Sequence, residues 1–406
     1  MLGSSTRDIG PWRCSYSEGS GMAMPPDPTS SGANAPNPGS PRRGPWELQV
    51  APSPDQWDDW VELDASAWPV RRERHFECIP TICFNCESAC GLLAFVDKNN
   101  GDVTRFEGNP VHPGSRGRTC AKGPATLNQV RDPERILHPL RRNGPRGSGQ
   151  YEQVTWEQVL DDIGGRIARA FDEDRHDEIM YHVGRPGDDH FVTRMLQAWG
   201  IDGHNSHTNV CSAAARFGYA TWFGADRPSP DYSSTKFILL LSAHLETGHY
   251  FNPHAQRIMD AKQAGTRMAV VDTRLSNTAS HADLWVSPWP GSEAAMLLGV
   301  ARELLRRDAI DRDFMRNWIN WRETLEHKNS QVEPTFEAFV ELLKPTYEHF
   351  TPHFAAVECR VPVETVSRLA DEIAAAGSQF SSHLWRNTAS GNEGGWQVAR
   401  SLMLLH

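Results

Sequence analysis

The sequence predicts an α/β protein, with a small cysteine-bearing N-terminal domain followed by domains built on a doubly wound parallel sheet. Three observations carry this. From about residue 178 onward, short apolar runs alternate with helical stretches at close spacing. The run "FILLL" (237–241) is apolar at every position, as a strand buried on both faces requires. Three of the chain's eight cysteines fall within "CFNCESAC" (83–90), ahead of the alternating region.

The elements follow in order. Residues 1–45 are rich in Pro, Gly, Ser and Asn, bury too little apolar surface to offset their chain entropy, and are expected to be disordered. Residues 46–74 carry four tryptophans and read as a linker or docking segment lying over a neighbouring surface. "DEIMYHVG" (177–184) reads as a strand ending in glycine, and "DDHFVTRMLQAWG" (188–200) as a helix closed by Gly200. "KFILLLSAH" (236–244) is a second strand, "NPHAQRIMDAKQAG" (252–265) a helix and "TRMAVVDTR" (266–274) a third strand. "ADLWVSP" (282–288) gives a fourth, backed by the helix "SEAAMLLGVARELLRR" (292–307), with two more helices near 336–343 and 362–376. Such alternation implies parallel βαβ units and a sheet covered on both faces.

Composition excludes several classes. A formal net charge of −10, with no basic run interleaved with aromatics, argues against a nucleic-acid partner. No stretch approaches the 18 or so apolar residues of a transmembrane helix. The arginine pairs at 42–43 and 71–72 precede no apolar segment of a leader, so the expected location is the cytoplasm. There thiols stay reduced, and clustered cysteines serve metals or redox chemistry rather than disulfides.

The spacing is Cys83-x2-Cys86-x3-Cys90, with Cys120 at a distance. Four thiolates suit a soft metal, so zinc and an iron–sulfur cluster are both open. A zinc ribbon contributes two CxxC pairs; a three-cysteine knuckle closed by one remote residue favours a [4Fe–4S] cluster. Cys78 is a spare thiol and reads as a small buried hydrophobe.

More is carried by the context. The stretch "CFNCESACGLLAFVDKNNGDVTRFEGNPVHPGSRGRTCAKGPA" (83–125) resembles the N-terminal cluster domain of the molybdopterin oxidoreductases, the dimethyl sulfoxide reductase superfamily. The knuckle followed by Gly91, the "EGNP…P…G…C" run and the lysine two residues after the fourth cysteine carry the likeness, which continues through "RILHPLRRNGPRGSGQYEQVTWEQVL" (135–160). The resemblance implies a cluster domain over 75–136, followed by Rossmann-like pterin-dinucleotide-binding domains. Their expected bounds are 137–206 for the first part of α/β domain II, 207–385 for α/β domain III, and 386–406 for the return into domain II. Family members continue for several hundred residues and end in a barrel domain, expected to be absent here.

The implied cofactors are one [4Fe–4S] cluster on Cys83, Cys86, Cys90 and Cys120, and molybdenum or tungsten on bis(molybdopterin guanine dinucleotide). Lys122 matches the cation between cluster and pterin. Cys211, in a polar stretch just before a helix, matches the metal ligand; Ser212 after it, where formate dehydrogenases of the family place a histidine, counts against formate. Ligands of doubly wound sheets lie beyond the carboxyl ends of the strands. Gly184 and Arg185, then Ser242, His244 and Glu246, then Asp272 and Arg274, and finally Gly291, Ser292 and Glu293 occupy those ends and match the contacts of one guanosine arm. Two departures from the family pattern are Ser242-Ala243-His244 for Gly-x-Asn and Pro290-Gly291-Ser292-Glu293 for Pro-Gly-Thr-Asp.

The expected activity is atom or hydride transfer on a small-molecule substrate at the metal, with electrons relayed through the cluster to a partner iron–sulfur subunit. Competing expectations are a non-redox tungsten hydratase-like lyase, a metal-free electron-wiring subunit of the same fold, and a zinc-stabilised binding module.

Overall fold

An antiparallel sheet, β1 (Trp60–Leu63), β2 (Glu73–Ile82), β3 (Gly91–Asp97) and β4 (Val103–Gly108), opens the described chain. The computed structural model describes residues 51–183, 189–201, 203–226, 229–245, 252–328 and 331–406. The expectations for residues 1–45 and for Gly184, Arg185 and Glu246 fall outside them. Alternate residues of β3 bury against opposite faces. Leu93 and Phe95 pack with Phe76 and Cys78 on one side; Leu92 and Ala94 pack with Phe106, Cys83 and Cys90 on the other.

From residue 51 the tryptophan-rich segment forms an edge of this sheet: β1 pairs with β2, and Trp57 and Trp60 lie over the Phe76–Phe95 face. The Cys78 amide donates to the Trp57 carbonyl at 2.7 Å, and the Arg105 guanidinium lies 3.7 Å from the Phe95 ring centroid while pairing with Glu62 and Glu107. The tryptophans are there because a sheet with two apolar faces needs a cover on each.

A short hairpin, β5 (Leu140–Arg142) with β6 (Tyr151–Gln153), leads into the helix Trp156–Asp172, started by a Thr155–Gln158 capping box. β7 (Tyr181–Val183) then pairs in parallel with β8 (His204–Ser206) in a sheet of their own. β7 is half-exposed, whereas β9 and β12 are buried along their whole length and β10 along all but its first residue.

The main sheet contains β9 (Phe237–Leu241), β10 (Arg267–Val271), β11 (Leu284–Val286) and β12 (Phe380–Leu384), all parallel, in the order β11-β10-β9-β12. Phe237, Leu239 and Leu241 face a core that includes residues of the helices Ala213–Phe223, Glu293–Arg306, Pro352–Cys359, Val363–Ala376 and Gly395–Leu404. Ile238 and Leu240 face the opposite core, with Ile258 of the helix Asn252–Gln263. The unbroken apolar run is thus explained by burial on both faces. Strand order reverses between β9 and β12, and doubly wound sheets open their ligand crevice at such a point. Among the described residues no helix is long and apolar enough to cross a membrane.

Candidate functional site

The three-cysteine knuckle joins β2 to β3, and its mouth is closed by the Cys83 amide donating to the Cys90 carbonyl at 2.8 Å. Cys83 and Cys90 are buried against Leu92, Ala94 and Phe106; Cys86 and Cys120 are half-buried. Cys120 stands just before the helix Lys122–Val130, whose Leu127 packs on the same apolar cluster. Asn85 ties the two parts together. Its Nδ2 lies 3.4 Å from Cys83 Sγ, 3.0 Å from the Lys122 carbonyl and 2.8 Å from Thr126 Oγ1. Among the described residues no three His, Cys, Asp or Glu side chains stand close enough together to hold a metal ion, so the four thiols share one lobe without converging. Their chemistry nonetheless fits a soft-metal cluster: two are sealed in an apolar wall, and one receives an N–H···S contact of the kind that stabilises a thiolate. Lys122 is exposed at the first turn of its helix. Cys78 lies on the other face of β2, 2% exposed, and burial pushes its thiol up to about 11.

The loop between β4 and Cys120 fastens this lobe to the main sheet's domain. Ser115, fully buried, accepts the Gly91 amide on its hydroxyl at 3.1 Å, and its carbonyl accepts Gln256 Nε2 at 2.9 Å. Arg116 pairs with Asp260 at 2.9 Å, and Arg257 reaches the Gly114 carbonyl at 3.4 Å. Gly91 has no alternative at its position, because a Cβ there would lie 2.4 Å from the His112 side chain. The bonds that cross to the sheet domain, from Ser115, Arg116 and Gly114, carry no signal in the sequence, since their partners are over a hundred positions away.

At the carboxyl ends of the main sheet the structure brings four expected residues together on neighbouring strand ends. Ser242 follows β9 in a left-handed conformation (φ 51°), its amide bonded to the Val271 carbonyl at 2.8 Å. His244 and Arg274 meet at 3.2 Å, Nη2 to Nδ1. Asp272 directly follows β10 and accepts the Arg274 amide on Oδ1 at 3.1 Å. After β11, Gly291 (φ 88°) turns the chain into the helix Glu293–Arg306. Glu293 is buried, and burial raises its carboxyl above the usual range despite the Gly291 amide donated at 3.0 Å. Trp385, missed in the sequence, belongs with this group. It follows β12, the strand paired with β9, and its amide donates to the Leu241 carbonyl at 2.9 Å, next to Ser242. Only the strand order, invisible locally, places it there.

Cys211 lies on another element. It ends the short helix His207–Cys211 that follows β8, half-buried, two residues ahead of the helix Ala213–Phe223. Ser212 beside it is buried, while His207 is exposed.

A doubly wound α/β domain with polar groups at its strand ends, clamped to a four-cysteine lobe, defines an α/β protein with a cysteine-bearing N-terminal lobe. The family models identify it: the molybdopterin oxidoreductase Fe4S4 domain matches residues 77–132, and the molybdopterin oxidoreductase domain matches 135–345. The chain belongs to the molybdopterin oxidoreductases of the dimethyl sulfoxide reductase superfamily, whose cofactors are a [4Fe–4S] cluster and a molybdopterin-bound molybdenum or tungsten. It is 25% identical over 297 residues to the thiosulfate reductase molybdopterin-containing subunit PhsA of Salmonella typhimurium, a match taking in 73% of this chain and 36% of that one. It is likewise 25% identical over 354 residues to a sulfite dehydrogenase subunit from Allochromatium vinosum, covering 72% and 36%. The chain thus spans little more than a third of these curated relatives. Among solved structures, acetylene hydratase from Pelobacter acetylenicus shares the fold, with a TM-score of 0.67 at 18% identity over 80% of this chain and 42% of that one.

Proposed function

We propose that this chain supplies the cluster lobe and one dinucleotide-binding sheet of a molybdenum or tungsten oxidoreductase that carries bis(molybdopterin guanine dinucleotide). The observation that supports it most is the gathering of Ser242, His244, Asp272 and Arg274 at the carboxyl ends of β9 and β10, in a body that also holds the four cysteines. Cys83, Cys86, Cys90 and Cys120 would hold the cluster, and Cys211 the molybdenum or tungsten. When bound, these groups supply one-electron relay and atom or hydride transfer respectively. The protein's own part is placement. The wall of Leu92, Ala94 and Phe106 keeps water from Cys83 and Cys90, while Asn85 donates toward Cys83. Arg274 offers guanidinium N–H donors to a phosphate or purine edge at the end of its strand, where ligands of this class of sheet lie. Lys122 contributes a positive charge that favours a reduced cluster.

The proposed domain bounds are 75–136 for the cluster lobe, 137–206 and 386–406 for domain II, and 207–385 for domain III. An iron–sulfur subunit is the proposed electron partner and the cytoplasm the proposed location. Sulfur oxyanions head the substrate classes to test, because two relatives are named for thiosulfate and sulfite. The fold shared with acetylene hydratase supports no particular reaction at 18% identity.

Elemental analysis of anaerobically purified protein tests this. About four irons per chain, as a four-thiolate cubane needs, together with molybdenum or tungsten, support it. Zinc in place of iron sinks it. Iron without molybdenum or tungsten favours the wiring subunit, and turnover with no electron acceptor favours the lyase.

A further inference from the structure

The loop Trp289–Glu293 is held from outside itself. The Trp289 amide donates to the Cys359 carbonyl at 2.8 Å, and Cys359 Sγ donates back to the Ser292 carbonyl at 3.2 Å. The next residue, Arg360, closes the helix Pro352–Cys359 in a left-handed conformation (φ 55°) and lays its guanidinium 4.2 Å from the Trp289 ring centroid. Within the loop, Ser292 Oγ donates to the Trp289 carbonyl at 2.6 Å and the Gly291 amide to Glu293. These bonds fix both ends of the turn that presents Gly291 and Ser292.

We propose that Cys359 and Arg360 are positioning residues for this loop, setting the direction of its nucleotide contacts; this step rests on the dinucleotide site proposed above. Packing alone does not call for a thiol. Ala355 and Ala356 of the same helix are buried without any polar group, so an alanine at 359 would satisfy the core but remove the sulfur's bond to the Ser292 carbonyl, leaving that carbonyl to the Ala295 amide of its own helix at 2.9 Å. Burial raises the Cys359 thiol, so it keeps the proton it donates. Trp289 remains 56% exposed, and an indole that open is held in one orientation by the cation stacked on it.

Two measurements on the whole chain test this with Cys359→Ala, Cys359→Ser and Arg360→Ala. The first is hydrogen exchange over residues 287–295 without ligand. The second is affinity for guanosine monophosphate as a probe of the nucleotide arm. Cys359→Ala is expected to raise exchange at Trp289–Ser292 and to weaken probe binding about 3- to 10-fold, the worth of one hydrogen bond. Cys359→Ser, which retains a donor, recovers most of both. Arg360→Ala changes a surface residue, so the fold survives, and it loses part of each. Unchanged exchange in both Cys359→Ala and Arg360→Ala overturns the positioning role. Probe binding that is absent, or equal in wild type and Arg274→Ala, overturns the dinucleotide site and with it any part these residues play in nucleotide contacts, whatever the exchange shows.

Discussion

Arg274 donates to His244 Nδ1 across the carboxyl ends of two adjacent parallel strands, β10 and β9. A guanidinium has no lone pair, so Nδ1 accepts and the imidazole proton is on Nε2. The contact therefore joins two loops that the chain separates by 30 residues and fixes which histidine nitrogen is a donor.

If the pair acts as a unit on a nucleotide, its deletions are not additive. Arg274→Ala and His244→Ala are each expected to weaken guanosine monophosphate binding, and the double variant to lose less than their sum by about 1 kcal/mol. Titration calorimetry on the three variants measures this. Strict additivity would mean that the two side chains work independently.

Ser242 has φ 51°, a conformation that costs an L-residue roughly 1–2 kcal/mol and glycine nothing sterically. After glycine's larger loss of chain entropy is subtracted, Ser242→Gly is expected to stabilise the protein by about 0.5–1 kcal/mol. Ser242→Ala keeps the Cβ and should show no gain. Urea denaturation midpoints decide it. The same backbone explains why the family pattern carries a glycine here: the departure to serine looks like a change of side-chain chemistry in the sequence, yet its first consequence is strain.

That contrast marks what the sequence could show. Phe237–Leu241, Arg267–Val271 and the glycine-closed helices were legible because a strand buried on both faces must be apolar throughout. The cysteine spacing and its ordered context were legible because they are local. β8 was not, because His204–Ser206 has no apolar signal and becomes a strand only by pairing with β7. Nor was β1: Trp57 and Trp60 read as docking residues, and only the second apolar face of β3 turns them into a cover. Trp385 joined these strand ends through strand order alone.

The clamp between lobe and sheet sorts its members by burial. Gln256 is 5% exposed and bonds a fully buried residue, whereas Arg116 and Asp260 are about half exposed. Removing the buried donor leaves the Ser115 carbonyl only the local Arg118 amide at 2.9 Å and breaks its bond across to the sheet domain, so Gln256→Leu is expected to cost about 0.5–1.5 kcal/mol, independent of salt. Arg116→Ala should cost under about 1 kcal/mol, with even that fading at high salt. Chemical denaturation at two ionic strengths separates them. Equal losses would show that the surface pair, rather than Ser115, fastens the lobe.

Cys78 is five residues from the knuckle and could be mistaken for a ligand; its environment argues otherwise. It points into the Phe76–Phe95 face, away from Cys83 and Cys90, and burial pushes its thiol up to about 11, opposed only in part by Arg105. At pH 8 about one such thiol in a thousand is ionised, and the thiolate is the form that alkylates and binds metal. Native metal-free protein treated with iodoacetamide at pH 8 is therefore expected to label the half-buried Cys86 and Cys120, and to label Cys78 only after unfolding. Cys78→Ala should keep the full iron content, while Cys86→Ala should lose iron or yield an altered cluster spectrum. A Cys78→Ala protein that folds with a normal melting curve but holds no iron would move Cys78 into the ligand set, and one of the four proposed cysteines out of it.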